Sequence, residues 1–297
     1  MSQSIANLFL LVAAALWGFG NIAQKTVLEH LDPISAVGLR CAIGGLLVLP
    51  LLRFDRADEI RPGYWTSALR VSVIFAMALM VQQAAYLSTT VTNAGFLVNT
   101  CAVLTPILAW VVLRERTSLR VWGAAAITLT GIFMLCGGLY GLGKGDIVAL
   151  VSALLYAAWM VDLGCHMRTY GNPVRTACAQ FLVTAAVALP IGGLWGSLSV
   201  SAAIAASPEL LTLGVGSTAL AFGIQTAAQR YTTASQAAVI VSAESVFGAM
   251  AAALFLDERM SVVGFFGAAL ILTAIIYLAF AAKPSRHMHG TFSRPAP

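Results

Sequence analysis

Two charged residues stand where none is expected: Glu244 and Arg40 each lie inside a long apolar stretch. Ionisable groups at such positions are costly and usually face the interior of a helix bundle. At a rise of about 1.5 Å per residue, Glu244 lies roughly 13 Å from one end of its stretch and Arg40 roughly 10 Å from the end of its own. Glu244 can bind an ammonium group, carry a coupling proton or pair with Arg40. Arg40 can take a carboxylate through two parallel N–H donors, or serve structure alone by snorkelling.

Around them are uncharged polar residues in similar settings: Gln82, Gln83, Asn99, Gln225 and Gln229. Amides can hydrogen-bond a zwitterion without burying a further charge, or join helices at about 1 kcal/mol or less each. Trp17, Tyr86, Phe96, Tyr156 and Trp159 can line an apolar cavity and stack on a solute, or pack against neighbours and lipid. Asp162 lies four residues before His166, a helical spacing that predicts an Asp–His pair near a span end.

The elements that must position these groups are membrane helices. Of 297 residues, 59% are apolar and only 10% charged, against about 25% charged in soluble domains. A hydrocarbon core about 30 Å thick needs about 20 helical residues. The apolar runs predict ten spans, near 5–25, 33–53, 64–87, 92–113, 119–138, 146–165, 173–195, 207–229, 235–256 and 262–281. Strands are not expected, because the runs are too long for barrel strands. The first run has no basic leader and continues as a full span, so it reads as a retained helix. Trp65, Trp122 and Trp195 lie near span ends and read as belt residues, with Trp110 intermediate.

Charge sets the orientation. With the N-terminus inside, thirteen Lys and Arg residues fall in inner segments. Only Lys25, Lys144 and Arg259 fall outside. The positive-inside rule puts both termini in the cytoplasm. The net charge of +5 is therefore a record of topology, and no basic face for nucleic acid is formed.

The chain also repeats itself. A shift of 140 residues lays Asp32-Pro33 on Asn172-Pro173 and Leu49-Pro50 on Leu189-Pro190. A shift of 143 lays Gln82 on Gln225, Thr89-Thr90 on Thr232-Thr233 and Glu115-Arg116 on Glu258-Arg259. The chain reads as two five-helix units, 1–140 and 141–282, followed by a disordered tail, 283–297. An odd helix count per unit puts the copies in opposite orientations, a recurring device of secondary transporters. Motion is expected to centre on the third, fourth, eighth and ninth helices, with pivots at the turns Ser88 to Asn93 and Tyr231 to Gln236.

Specific strings carry a family resemblance. Leu16-Trp17-Gly18-Phe19-Gly20-Asn21 followed by Lys25 resembles the first helix of the drug/metabolite transporter superfamily, EamA type. Asp32-Pro33 followed by Arg40 resembles its second helix. Asn99-Thr100 with Thr105-Pro106 and Glu115-Arg116 resembles the fourth. Ala243-Glu244-Ser245-Val246-Phe247 with Asp257-Glu258-Arg259 resembles the ninth, where the family often has Pro and this chain has Ser245. The resemblance implies ten helices and movement of small organic solutes, commonly export. Among the branches, the chain is most similar to the YddG-type amino-acid exporters.

The resulting expectation is an all-α multi-pass protein of the inner membrane, exporting amino acids, aromatic and other neutral ones, by alternating access. A drug or toxic-compound exporter is the second reading; a channel or membrane enzyme is the reading from another class. The candidate binding set is Trp17, Asn21, Arg40, Gln82, Gln83, Tyr86, Phe96, Asn99, Tyr156, Trp159, Gln225 and Glu244. One chain supplies both halves, so a monomer suffices. No cofactor or metal is expected: the five cysteines lack CxxC spacing. The Gly-rich run 138–145 lacks the Ser or Thr that a phosphate loop needs after its Lys, and His287 and His289 alone make a poor metal site.

Overall fold

In the computed structural model, residues 1–54, 60–89, 91–115, 117–136, 143–255 and 260–280 are described, and all their regular structure is helical. The first half holds α1 (Gln3–Thr26), α2 (Pro33–Val48), α3 (Tyr64–Ala85), α4 (Val91–Asn99), α5 (Cys101–Leu113) and α6 (Leu119–Leu135). The second begins with α7 (Lys144–Thr169) and α8 (Pro173–Trp195), then the short α9 (Val200–Ala205). Next come α10 (Ser207–Leu211), a π-helical stretch Thr212–Phe222 and α11 (Gly223–Ala228), which run on as one rod. The chain closes with α12 (Ala234–Val241), α13 (Glu244–Phe255) and α14 (Val262–Phe280).

Eight continuous or near-continuous helical rods among the described residues are long and apolar enough to cross a membrane. Two shorter apolar helices, 119–135 and 262–278, accompany them. The outer surfaces of the rods stay apolar, as lipid contact requires: Trp65 and Trp195, at helix ends, are 57% and 82% exposed.

The main contacts join the two halves. α2 lies along α8, α3 along α7, α6 along α14, and α1 against the π stretch and α13. Small residues make the close approaches possible. A Cβ on Gly267 would come within 2.4 Å of the Gly131 carbonyl oxygen, and one on Gly131 within 2.7 Å of the Gly267 carbonyl oxygen. At this crossing of α6 and α14 the backbones touch, the geometry small residues allow in membranes.

Two predicted spans are broken in the middle. The fourth divides at Thr100 into α4 and α5; the ninth divides at Ser242-Ala243 into α12 and α13. No proline sits at either break. Instead the backbone tightens to three-residue bonds: Thr100 N–H to Leu97 O and Val103 N–H to Thr100 O, then Ala243 N–H to Ile240 O and Ser245 N–H to Ser242 O. Side chains reinforce this, Thr100 donating to Leu97 O and Ser242 to Ala238 O. Such back-bonding competes with the regular ladder and bends helices. The Ser245 substitution therefore does not remove a bend from the ninth helix. The breaks are joined by Asn99 Nδ2, which donates to Ser245 Oγ at 3.0 Å.

Arg56, Asp257, Glu258, Arg259, the Gly-rich run 137–142 and the predicted tail 283–297 lie outside the described residues.

Candidate functional site

α1 carries one polar face into the bundle. Trp17, Asn21 and Gln24 recur at helical spacing, and all three are buried. Trp17 packs on Phe222, with ring centroids 4.7 Å apart, and its indole N–H donates to Ser217 O at 3.0 Å. That carbonyl belongs to the π stretch, whose altered hydrogen-bond register presents groups an α-helix would keep. Trp159 on α7 packs 5.7 Å from Phe222 and 5.2 Å from Phe75, and its indole donates to Gln180 Oε1 at 2.6 Å. Both indoles thus spend their single donor on the protein and offer apolar ring faces elsewhere.

These side chains border a cavity enclosing about 500 Å³ of atom-free space, opening included. From the candidate set the cavity collects Trp17, Arg40, Gln82 and Asn99 of the first half, with Tyr156, Trp159, Gln225 and Glu244 of the second. The remaining four stand back. Asn21 is next to the cavity and holds Glu244. Gln83 turns to donate to Gln24 O at 2.7 Å. Tyr86 is buried, with its carbonyl accepting from Lys25 Nζ. Phe96 packs edge-on against Phe133, centroids 5.9 Å apart. Gln229 is outside the cavity too, donating to Met160 O at 3.1 Å.

The two intramembrane charges do not pair directly. Arg40, 1% exposed, does not snorkel. It donates through Nε to Thr218 Oγ1 at 3.0 Å and through Nη1 to Gln24 Oε1 at 3.4 Å. Gln24 Nε2 donates to Asn21 Oδ1 at 2.8 Å, and Asn21 Nδ2 donates to Glu244 Oε1 at 2.8 Å. Every donor in this chain points from the cation towards the anion. Opposite charges in a poorly solvated site attract strongly, and here two amides span the gap.

Gln82 and Gln225, equivalent by the 143-residue shift, differ in state. Gln82 Oε1 accepts from the Tyr156 hydroxyl at 2.7 Å. Gln225, 1% exposed, leaves its Oε1 sealed without a partner. An orphaned buried polar atom costs about 1–3 kcal/mol.

The expected Asp162–His166 pair is not formed. Asp162 takes Arg70 in a two-pronged bond, at 2.9 and 3.1 Å from Nε, at the exposed surface. His166 instead lies between the Ser67 and Thr176 hydroxyls, at 2.9 and 3.0 Å. Burial beneath the Tyr64 ring, 5.0 Å away, points the imidazole inward, away from the carboxylate.

Sequence reading missed Gln24, Cys101 and the apolar wall of Leu79, Val98, Met160, Phe222 and Val241. Gln24 had a signal: it lies three residues after Asn21 on the face that carries Trp17. The apolar residues had none, because every span is rich in such residues. Among the described residues no three His, Cys, Asp or Glu side chains come close enough to hold a metal ion.

Comparison with known proteins gives the class. The sequence profile of the EamA-like transporter family matches twice, at residues 4–137 and 143–280. An uncharacterized transporter of Archaeoglobus fulgidus is 28% identical over 92% of this chain and 85% of its own. The uncharacterized transporter YwfM of Bacillus subtilis is 24% identical over 96% of this chain and 97% of its own. Human solute carrier family 35 member G1 is 27% identical over 52% of this chain and 46% of its own. A crystal structure 18% identical in sequence superposes with a TM-score of 0.78, covering 95% of this chain and 98% of that one.

Proposed function

This chain belongs to the EamA-like transporter family, a multi-pass membrane transporter, and we propose that it exports small metabolites, amino acids foremost, by alternating access. Aromatic and other neutral amino acids are the proposed substrates, as the resemblance to the YddG-type exporters implies. In this reading all ten apolar helices cross the membrane as two five-helix units of opposite orientation. Both termini then face the cytoplasm, the membrane is the inner one, and a single chain is the working unit.

One observation supports this reading: side chains of both halves line the cavity, and hydrogen-bonded contacts at repeat-equivalent residues join helix ends on opposite sides of the bundle. At one end Asp146, in the first turn of α7, accepts from Thr89 Oγ1, from Asn93 Nδ2 at 3.3 Å and from Gly143 N–H at 2.7 Å. At the other, Gln3 Nε2 donates to Gln236 Oε1 at 2.8 Å. The 143-residue shift turns Gln3 into Asp146 and Asn93 into Gln236. The ends are far apart: Lys25, which bonds Tyr86 O near Thr89, and Gln3 cap the same helix about 33 Å apart at 1.5 Å per residue. Two latches of common origin, one per face, are what a carrier needs in order to open one side at a time. A ligand can drive that exchange only through its differential affinity for the two open states.

Reconstitution in liposomes with a panel of amino acids, with and without a pH gradient, tests the proposal. Exchange of neutral amino acids above protein-free vesicles is expected. Exchange confined to bulky organic cations would favour the drug-exporter reading, and electrical conductance far above carrier rates would favour a channel.

A further inference from the structure

Resting on the reading of the cavity as the transport site, we infer that it recognises a free zwitterion, the solute's carboxylate at Arg40 and its ammonium at Glu244. Three features bring this about. First, Arg40 is a buried guanidinium without an ion-pair partner. Two of its nitrogens are engaged, by Thr218 and Gln24, while Nη2 has no partner and is not sealed from the cavity. Second, Glu244 uses Oε1 for Asn21, and its Oε2 is in the same open state.

Third, the amide chain through Gln24 and Asn21 fixes both charges from behind. Without it, the guanidinium and carboxylate would collapse onto each other and leave nothing for a ligand. Gln24 and Asn21 are therefore positioning residues: each holds one pole ready and keeps it from the other. The site thus has one unmatched donor pole and one unmatched acceptor pole.

Only a solute with both a carboxylate and an ammonium satisfies both of them. A lone amine leaves Arg40 uncompensated and adds positive charge. A lone acid leaves Glu244 uncompensated and adds negative charge. A zwitterion brings no net charge into the cavity, so the loaded carrier moves no more charge than the empty one. The walls of Trp17, Trp159 and Phe222, with both indole donors satisfied internally, accept an apolar or aromatic remainder.

The test uses the full chain in liposomes and counterflow of labelled L-phenylalanine. Unlabelled L-phenylalanine, phenethylamine (no carboxylate) and 3-phenylpropionate (no amine) compete. Each truncated ligand is expected to need on the order of 10- to 100-fold more than L-phenylalanine, since each forfeits a charged hydrogen-bonded contact. Arg40→Gln is expected to erase the advantage of L-phenylalanine over phenethylamine. Competition by either truncated ligand within about threefold of L-phenylalanine overturns the inference. The ligand series on the unaltered chain decides alone should a variant fail to fold. If L-phenylalanine does not exchange but an organic cation such as tetraphenylphosphonium does, the inference falls and the transporter reading stands. If no tested solute exchanges, the assignment of this cavity as the transport site falls with it.

Discussion

Changing Asp146 to Asn alters one atom and one charge, and the latch geometry gives the size of the effect. Oδ1 of Asp146 receives Thr89 and Asn93, and Oδ2 receives the Gly143 N–H at 2.7 Å. An asparagine can keep its oxygen on only one side. With the oxygen towards Thr89 and Asn93, its NH2 faces the Gly143 N–H, donor against donor. With the oxygen reversed, the new NH2 faces the Asn93 amide donor, while the Thr89 hydroxyl turns round to accept it. Either way this contact loses one bond and the negative charge that strengthened the others, about 2 kcal/mol. That weakens closure at this end by roughly 30-fold. Cys101 is a built-in reporter, because it lines the cavity and is a free thiol. With Cys41, Cys136, Cys165 and Cys178 replaced, its reaction with a membrane-impermeant thiol reagent reads which side is open. Asp146→Asn should speed labelling from the Asp146 face at least about tenfold and leave the Gln3 face no faster. Gln236→Ala, which removes one neutral bond, should do the reverse by only about 2- to 10-fold. Faster labelling of Asp146→Asn from the Gln3 face, or no change from either, would refute the two-latch reasoning.

Glu244→Gln should abolish amino-acid exchange while the protein elutes as before; normal rates at every pH would count against its role. Gly267→Leu should lower the melting temperature sharply by a cost above about 3 kcal/mol, because the added carbons meet the backbone of α6. Gly123→Ala, with nothing within 4 Å of its added carbon, should be silent in the same measurement. Asp32 caps α2, accepting from Ile34 N–H and Ser35 N–H, and from Ser197 across the bundle end. Partial burial pushes its carboxyl up, but these hydrogen bonds outweigh that and hold it below the usual carboxylate value. The stability it adds is therefore complete above the unfolded-state pKa of about 4 and is lost as pH falls through the lower folded value. Asp32→Asn should remove that acid-side loss from the melting curve, and Asp32→Ala, which deletes the cap as well, should cost about 1 kcal/mol at neutral pH.

The cavity was half legible beforehand. Charge and amide groups inside apolar stretches are conspicuous, since membrane depth penalises each of them, and eight of the twelve candidates, three of them aromatic, border one space. Phe96, Tyr86 and Gln83 were equally conspicuous and turned elsewhere. Which way a helical residue faces depends on the neighbour it meets, and a span that is apolar all round does not say.

The sequence by itself determined the helical, membrane-spanning class, the likeness of its two halves and the place of Glu244 and Arg40 inside apolar stretches. Those follow from local sums: hydropathy over twenty residues, charge between spans, identity at a fixed shift. Only the tertiary structure decided who bonds whom. The partners are far apart in the chain, as Asn21 is from Glu244, Thr89 from Asp146 and Arg70 from Asp162. It also separated Gly267 from Gly123, both glycines within apolar helices but one crowded and one open. It broke two spans at Thr100 and Ser242-Ala243 without a proline, where the backbone tightens to three-residue bonds. Hydropathy records how much each residue dislikes water, whereas a hydrogen bond depends on the position of a second group that only folding brings near.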